Sequence, residues 1–262
     1  MDTAGRTWWK EGRIPSTDPA NYTGLPICMS SEELEQQEKE AILDFFGRRA
    51  GGYFVEIGAN DPRQLSQTWL LEQLGWTGLL VEPQQKCYEK LVEARPKSRV
   101  VRAACAGPEA RGTGSLYVAQ SSVHSSLERH VDDQGVNYVG RETVPIVTVD
   151  DLLAQAPPPR VDFVSIDVEG TELDVLRGFD LARWKPELLL IEDKVNNLVK
   201  HRYILARGYR LLRRTGVNGW YVPQEHAARP APGDALKLWR KYYLGTPFRR
   251  WKRAWQARKL KS

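Results

Sequence analysis

The stretch Tyr53-Phe-Val-Glu-Ile-Gly-Ala-Asn-Asp61 decides how this chain is read. Phe54, Val55 and Ile57 suit a parallel strand covered on both faces, and the run passes directly into a glycine turn with acidic and amide side chains. Open α/β sheets make nucleotide pockets in this way, because a glycine lets the backbone pass close to a ligand and an alanine beside it keeps crowding low. A second apolar strand, Gly78-Leu-Leu-Val-Glu-Pro83, closes on Glu82, whose carboxylate can accept hydrogen bonds from both hydroxyls of a ribose. Each strand end alone is weak evidence, since an acid and a glycine at a turn are common. Together they point to a nucleoside ligand.

Working outward, strand and helix signals alternate. The capping-box spacing of Ser30 and Glu33 opens a helix that ends near Gly47. Strands are expected at 53–57, 78–81 and 99–104, separated by helices through 65–74 and 87–94. An edge strand is expected at 115–119, a polar ordered loop over 121–140, a short strand at 144–149 and a helix over 150–154. Pro157, Pro158 and Pro159 stiffen the next connection. Val161-Asp-Phe-Val-Ser-Ile166 is the fourth main strand, a helix starts near Thr171, and 187–191 is the fifth. A helix over 198–207 and antiparallel closing strands at 209–212 and 220–222 complete the pattern. The alternation predicts a doubly wound, mostly parallel sheet in an α/β domain. The boundaries are an irregular arm over 1–29, the domain over 30–233 and a basic aromatic tail over 234–262.

The 262 residues, 41% hydrophobic and 27% charged, suffice for one substantial domain. Cys28, Cys87 and Cys105 are odd in number and lack a CxxC pair, which speaks against a disulfide framework or zinc knuckle. With no apolar run long enough for a signal peptide or a span, a cytoplasmic protein is expected. The net charge of +5 is unevenly placed. No acid follows Asp234, whereas ten cations do; removing those ten from 38 leaves 28 against 33 acids, so the body is acidic and the tail strongly basic. Residues 236–260 interleave Trp239, Tyr242, Tyr243, Phe248, Trp251 and Trp255 with these cations. This mixture suits an anionic membrane surface, making the protein peripheral on the inner face; it also suits nucleic-acid phosphates, a subunit contact or packing on the domain itself.

Two acidic clusters fall where the last parallel strands end: Asp167-Val-Glu169-Gly170, and Glu192 with Asp193. Ligands of open sheets gather at that edge. Helix-terminal charge is the plainer account of Glu169 and Glu172.

These residues resemble the FkbM-type S-adenosylmethionine-dependent methyltransferases. The resemblance runs from about Tyr53 to Val222. It rests on Val55-Glu-Ile-Gly-Ala-Asn-Asp61, Gly75-Trp-Thr-Gly-Leu-Leu-Val-Glu-Pro83, Thr148-Val-Asp-Asp-Leu-Leu153 and Phe163-Val-Ser-Ile-Asp-Val-Glu-Gly-Thr-Glu172, in that order. It implies a class I, Rossmann-like fold and O-methylation, often of a sugar or natural-product hydroxyl. Carried over by position, Glu56, Gly58, Ala59, Asn60 and Asp61 line the methionine end of S-adenosylmethionine, Glu82 holds the ribose, Ala103 lies near the adenine, and Asp167 faces the sulfonium and the acceptor. This sequence has Glu56 where many relatives show Asp, and Pro62 directly after the turn.

The chemistry implied is in-line displacement, in which proximity and alignment supply most of the gain. Asp167 then accepts a proton late or orients the hydroxyl. His124 and His130 are candidate bases in the polar insertion, where they compete with the plainer account of solvated rings; His201 stands lower because it lies in a charged helical stretch, and Ser125 and Ser126 are further candidates for contact. Asp167, Glu192 and Asp193 could together offer hard oxygen ligands to Mg²⁺; otherwise Glu192 and Asp193 are pocket polar groups or pair with Lys194. The expected acceptor is a carbohydrate in a cell-surface glycan or glycolipid, a choice the membrane-seeking tail motivates. Rivals are a nucleic-acid methyltransferase, which the acidic body and the lack of an Asn-Pro-Pro-Tyr-type pocket argue against, and a noncatalytic scaffold. A nicotinamide oxidoreductase is weaker, because the first turn lacks G-x-G-x-x-G.

Overall fold

The computed structural model describes residues 31–122, 125–127, 137–193, 198–230 and 232–245. The chain divides into two units, one over 29–192 and another that holds the described residues from Asp193 onward.

The first unit begins with helix α1 (Ser31–Phe45) and strand β1 (Tyr53–Ile57). It continues through α2 (Trp69–Gln73), β2 (Thr77–Val81), α3 (Gln85–Ala94) and β3 (Arg99–Val101). A small excursion comes next, with β4 (Ala104–Cys105), β5 (Gly112–Ala119) and β6 (Tyr138–Val147). The chain then returns through α4 (Val149–Gln155), β7 (Phe163–Ile166), α5 (Glu172–Arg177), α6 (Leu181–Trp184) and β8 (Leu188–Glu192).

Strands β1, β2, β3, β7 and β8 pair in parallel in the order β3-β2-β1-β7-β8. The order reverses between β1 and β7, which opens a crevice at the carboxyl ends of those two strands. Strands β7 and β8 are buried along their whole length, and β1 and β2 in all but their first residue. That is what near-continuous apolar runs produce when helices cover both faces. At the opposite edge the strands are fastened by Asp162, which accepts from the Tyr53 N–H at 2.8 Å and from Arg49 at 2.8 Å, and also pairs with Arg160.

The excursion differs from the sequence expectation. The third strand does not run on to 104. Arg99–Val101 stays beside β2, and Ala104–Cys105 crosses into a separate three-stranded sheet of order β4-β6-β5. The expected short strand at 144–149 is the end of the ten-residue β6, which pairs antiparallel with β5 from Tyr138 to Ile146. A period-2 pattern signals a strand without naming its partner, so the sequence alone presents this ribbon as two isolated pieces. Leu116, Val144 and Ala104 form the ribbon's own buried cluster.

The second unit contains α7 (Val199–Leu205), the antiparallel pair β9 (Tyr209–Thr215) and β10 (Asn218–Pro223), and α8 (Pro232–Trp239), which runs into a π-helical turn at Arg240–Leu244. The pair β9–β10 is the antiparallel element expected at the C-terminal side. Asp193, His201, Arg214, Tyr221 and Tyr242 form a polar cluster inside this unit. Among the described residues no helix is long and apolar enough to cross a membrane.

Candidate active site

Register brings the sequence-predicted rim together. Ile57 is paired with Val81 on one side and with Ile166 on the other, so β1, β2 and β7 end level. The residues just past them, Gly58, Glu82 and Asp167, therefore share one edge. Ile191, just before Glu192, is paired with Ile166, just before Asp167. The backbone knits this edge: Gly58 and Ala59 donate to the Val81 carbonyl at 2.9 and 3.2 Å, and Asp167 donates to the Ile57 carbonyl at 3.0 Å.

Gly58 is required here. Its φ is +82°, and a Cβ would fall 1.8 Å from the Asp167 carbonyl oxygen, so β1 can meet the end of β7 only through a glycine. Asn60 comes next but one at φ +41°, a conformation asparagine tolerates. At the β7 end, Glu169 at φ +52° and Gly170 at +109° make a left-handed turn, which Glu172 closes by accepting from the Gly170 N–H at 2.7 Å. Asp167, just before that turn, is exposed.

Glu82 is buried at the rim and its carboxylate is aimed by two backbone donors, Gln84 N–H at 2.8 Å and Asn60 N–H at 2.9 Å. Burial pushes its pKa up to about 7 despite those donors, with Glu142 adding to the rise. A carboxylate accepts up to about four hydrogen bonds, so two acceptor positions remain for the vicinal hydroxyls of a ribose. This acceptor chemistry fits the ribose hydroxyls at the nucleoside end of S-adenosylmethionine. Ala103 is buried between β3 and β4.

Glu56 behaves differently from the expectation. It is the penultimate residue of β1, so its side chain leaves toward a sheet face, away from the edge. There it accepts from Ser66 and Thr68 hydroxyls at 2.8 and 2.6 Å and from the Gln67 N–H at 2.7 Å. Burial raises its pKa, opposed by Arg95 and these three bonds. Its carboxylate folds the 59–68 loop from beneath. Asp61 does the same from within the loop, accepting from Arg63 and Gln64 N–H groups at 2.8 and 2.6 Å.

Sequence reasoning misses the residue that holds this loop. Arg95 is wholly buried at the end of α3, paired with Glu72 at 2.9 Å. It donates to the Pro62 carbonyl at 3.1 Å, to Ser66 at 3.0 Å and to Thr68 at 2.9 Å. Lys39 of α1 donates to the Arg63 and Gln64 carbonyls. These bonds draw 62–68 into an ordered loop and shorten the expected 65–74 helix to Trp69–Gln73. The only signal in the sequence is a lone arginine after an amphipathic helix, which ordinarily lies on the surface.

The β5–β6 ribbon reaches the same rim at three points. The Ser122 hydroxyl donates to Asn60 Oδ1 at 2.9 Å, and the Ser126 hydroxyl donates to the Glu169 carbonyl at 3.2 Å. Glu142 accepts from the Gln85 N–H at 2.9 Å and from Arg102 at 3.0 Å. Ser125 instead turns inward, its hydroxyl accepting from the Ala119 N–H at 3.0 Å. The candidate bases His124 and His130 lie outside the described residues. His201 belongs to the second unit, buried and hydrogen-bonded to the Tyr221 hydroxyl at 2.9 Å, and burial lowers its pKa.

The metal reading needs correction. Among the described residues no group of three or more His, Cys, Asp or Glu is placed to hold an ion. The Asp193 carboxylate accepts from the Tyr242 hydroxyl at 2.8 Å and stands 3.8 Å from Arg214, so a buried cation already faces it. The Thr148-Val-Asp-Asp motif likewise has a structural task. Thr148 and Asp151 form a capping box that starts α4, and Asp150 accepts from the Asp180 N–H and the Trp184 indole.

Comparison with known families decides what this rim belongs to. The model of the methyltransferase FkbM domain matches residues 56–211. The chain belongs to the FkbM methyltransferase family. It is an S-adenosylmethionine-dependent methyltransferase with the class I α/β fold. No curated protein matches it. Solved structures with some likeness include the N-terminal domain of human METTL16 in complex with SAH (12% identity, 74% of this chain and 71% of that one, TM-score 0.42). Two others are a human methyltransferase 10 domain containing protein (12%, 74% and 82%, 0.40) and M. capricolum TrmK with S-adenosyl-homocysteine (12%, 74% and 68%, 0.38).

Proposed function

We propose that this methyltransferase delivers its methyl group to a hydroxyl, on a sugar of a cell-surface glycan or glycolipid. The observation that carries the reading is the position of Asp167, an exposed residue at the reversal of strand order, directly beside the glycine turn and level with Glu82. Glu82 holds the ribose, and the backbone from Gly58 to Asn60 borders the nucleoside. When bound, S-adenosylmethionine supplies an electrophilic methyl on its sulfonium. Asp167 accepts a hydrogen bond from the acceptor hydroxyl, aligns its oxygen and takes its proton late, as the oxygen loses basicity. Positioning of the two partners is the larger contribution. The Ser122 and Ser126 contacts let the ribbon wall the crevice against water. The residues present do not fit Mg²⁺, and no step needs it.

A nucleic-acid acceptor is the second reading, favoured by the ten cations after Asp234. Labelled cofactor incubated with a lysate fractionated into glycolipid, protein, nucleic acid and small molecules, with and without EDTA, separates the two. Label in glycolipid or free sugar supports the proposal. Label in RNA or DNA replaces it, and loss of transfer with EDTA restores a metal. Calorimetry with S-adenosylmethionine on the wild type and Glu82→Gln tests the site itself, since a scaffold would show no binding in either.

A further inference from the structure

The root of the basic tail is fastened while its apolar side chains face outward. Tyr242, in the π-helical turn, is 1% exposed; its hydroxyl donates to Asp193 Oδ2 at 2.8 Å and accepts from Arg214 at 2.8 Å, and its ring lies 4.4 Å from that of His201. Around this anchor, Leu236 is 60% exposed, Trp239 50%, Tyr243 38% and Leu244 58%. Four of the nine large hydrophobic residues exposed among those described thus fall within nine consecutive positions, whereas the other five are scattered along the chain. Scattered apolar side chains are ordinary on a protein surface, and a cluster marks a contact site. Lys237, Arg240 and Lys241 lie among them, and seven more cations and no acid follow up to the C-terminus.

We infer that α8 and its π-helical turn dock the enzyme on an anionic lipid bilayer. The combination selects this occupant. Nucleic acid would use the cations and the aromatic rings but has no use for outward leucines at positions 236 and 244. A bilayer uses all three classes: leucine enters the acyl boundary, tryptophan and tyrosine settle among the headgroups, and cations draw the segment to anionic lipid. Each cation near the surface raises partitioning roughly fivefold. The buried Tyr242 makes the surface rigid at its root, so docking orients the second unit as well as tethering it. The inference stands apart from the methyl-transfer reading, although a lipid-linked acceptor would profit from it.

The test is flotation of the full-length protein with vesicles of phosphatidylcholine mixed with phosphatidylglycerol, against phosphatidylcholine alone. Binding is expected to the anionic mixture, to weaken in high salt, and to come with a blue shift of tryptophan emission. The pair Leu236→Ser and Leu244→Ser should weaken it about tenfold. Both positions are exposed, so an unchanged thermal melt shows that the loss is not unfolding. Charge reversal at Arg240→Glu is a second variant that should act in the same direction. Absence of binding to anionic vesicles, equal binding to neutral ones, indifference to the leucine pair, or displacement by RNA with tighter binding to it would each overturn the inference. S-adenosylmethionine binding measured alongside separates that failure from failure of the methyltransferase site.

Discussion

Glu56 and Asp167 are acids near the ends of adjacent parallel strands, with Ile57 paired to Ile166 between them. Their surroundings are opposite. Glu56 is sealed beneath the 59–68 loop, with Ser66, Gln67 and Thr68 on its oxygens and the Arg95 guanidinium nearby. Asp167 sits one residue past its strand, exposed at the crevice. A single step of register can decide whether a side chain points to a sheet face or stands at the edge. The first acid is enclosed beneath the loop and the second stands exposed at the rim. The same residue class, at two neighbouring strand ends, takes up structure in one case and, in the function proposed above, chemistry in the other.

The comparison breaks most violently at Arg95. Replacing it with alanine leaves Glu72 and Glu56 buried without their cation, at a cost of about 3–5 kcal/mol. Chemical denaturation should show that loss, and S-adenosylmethionine binding should weaken as 62–68 loosens. Lysine should restore little, because the guanidinium serves Glu72, Pro62, Ser66 and Thr68 at once. A change below about 1 kcal/mol would mean that the loop is held by something else.

The same distinction governs how much of the molecule is legible in its sequence. Gly58, Glu82 and Asp167 are readable because strand pattern, glycine turn and terminal acid are local signals, and level strand ends follow from parallel pairing. Arg95 and Lys39 are not, since their partners lie 23 to 33 and 24 to 25 positions away and nothing in a lone cation announces burial. Ser122 and Glu142 escape for a related reason. They matter only because β5 and β6 pair with each other and lean on three loops, and alternation does not choose a partner. Glu56 is legible as a residue of the first strand, but its task under the loop depends on Ser66, Gln67 and Thr68, which no strand signal includes.

Glu82 sharpens the comparison through pH. Its pKa is about 7 in the folded protein, against an ordinary 4.5, so between those values the folded state holds a proton that the unfolded chain releases. Stability from this group is full below about pH 4.5 and falls as pH rises through 7, by about 3 kcal/mol in all. Glu82→Gln should remove that slope from the difference between the two melting curves. Cofactor binding should run the other way. Ribose hydroxyls favour the carboxylate, so the wild type should bind S-adenosylmethionine up to about tenfold more tightly at pH 8 than at pH 6, and the variant should not.

At Asp167 the expected loss is in rate. Asp167→Asn keeps shape and exposure, so stability should move by no more than about 0.5 kcal/mol, while kcat falls about 10²-fold. Cofactor affinity should hardly change. Glu56→Gln is the mirror experiment, with stability falling and the turnover of the remaining folded enzyme largely kept. If the two variants exchanged phenotypes, the division of labour drawn from their burial would be wrong.

Ser122→Ala has the smallest effect and isolates the ribbon. The lost hydrogen bond to Asn60 Oδ1 is worth about 1 kcal/mol, and the ribbon keeps its other attachments through Ser126 and Glu142, so the melting temperature should barely move. Asn60 is nevertheless the residue whose N–H aims Glu82. Freeing its side chain should therefore appear in cofactor binding, as a roughly fivefold rise in Kd, about the 1 kcal/mol of the lost bond, and Ser122→Thr should recover it by restoring the hydroxyl. A rise in Kd with an unchanged melt would show that the ribbon acts on the ligand through Asn60. An unchanged Kd would leave Ser122 as a fastening of the ribbon alone, and the rim would then be set by the parallel strands and their buried clamp.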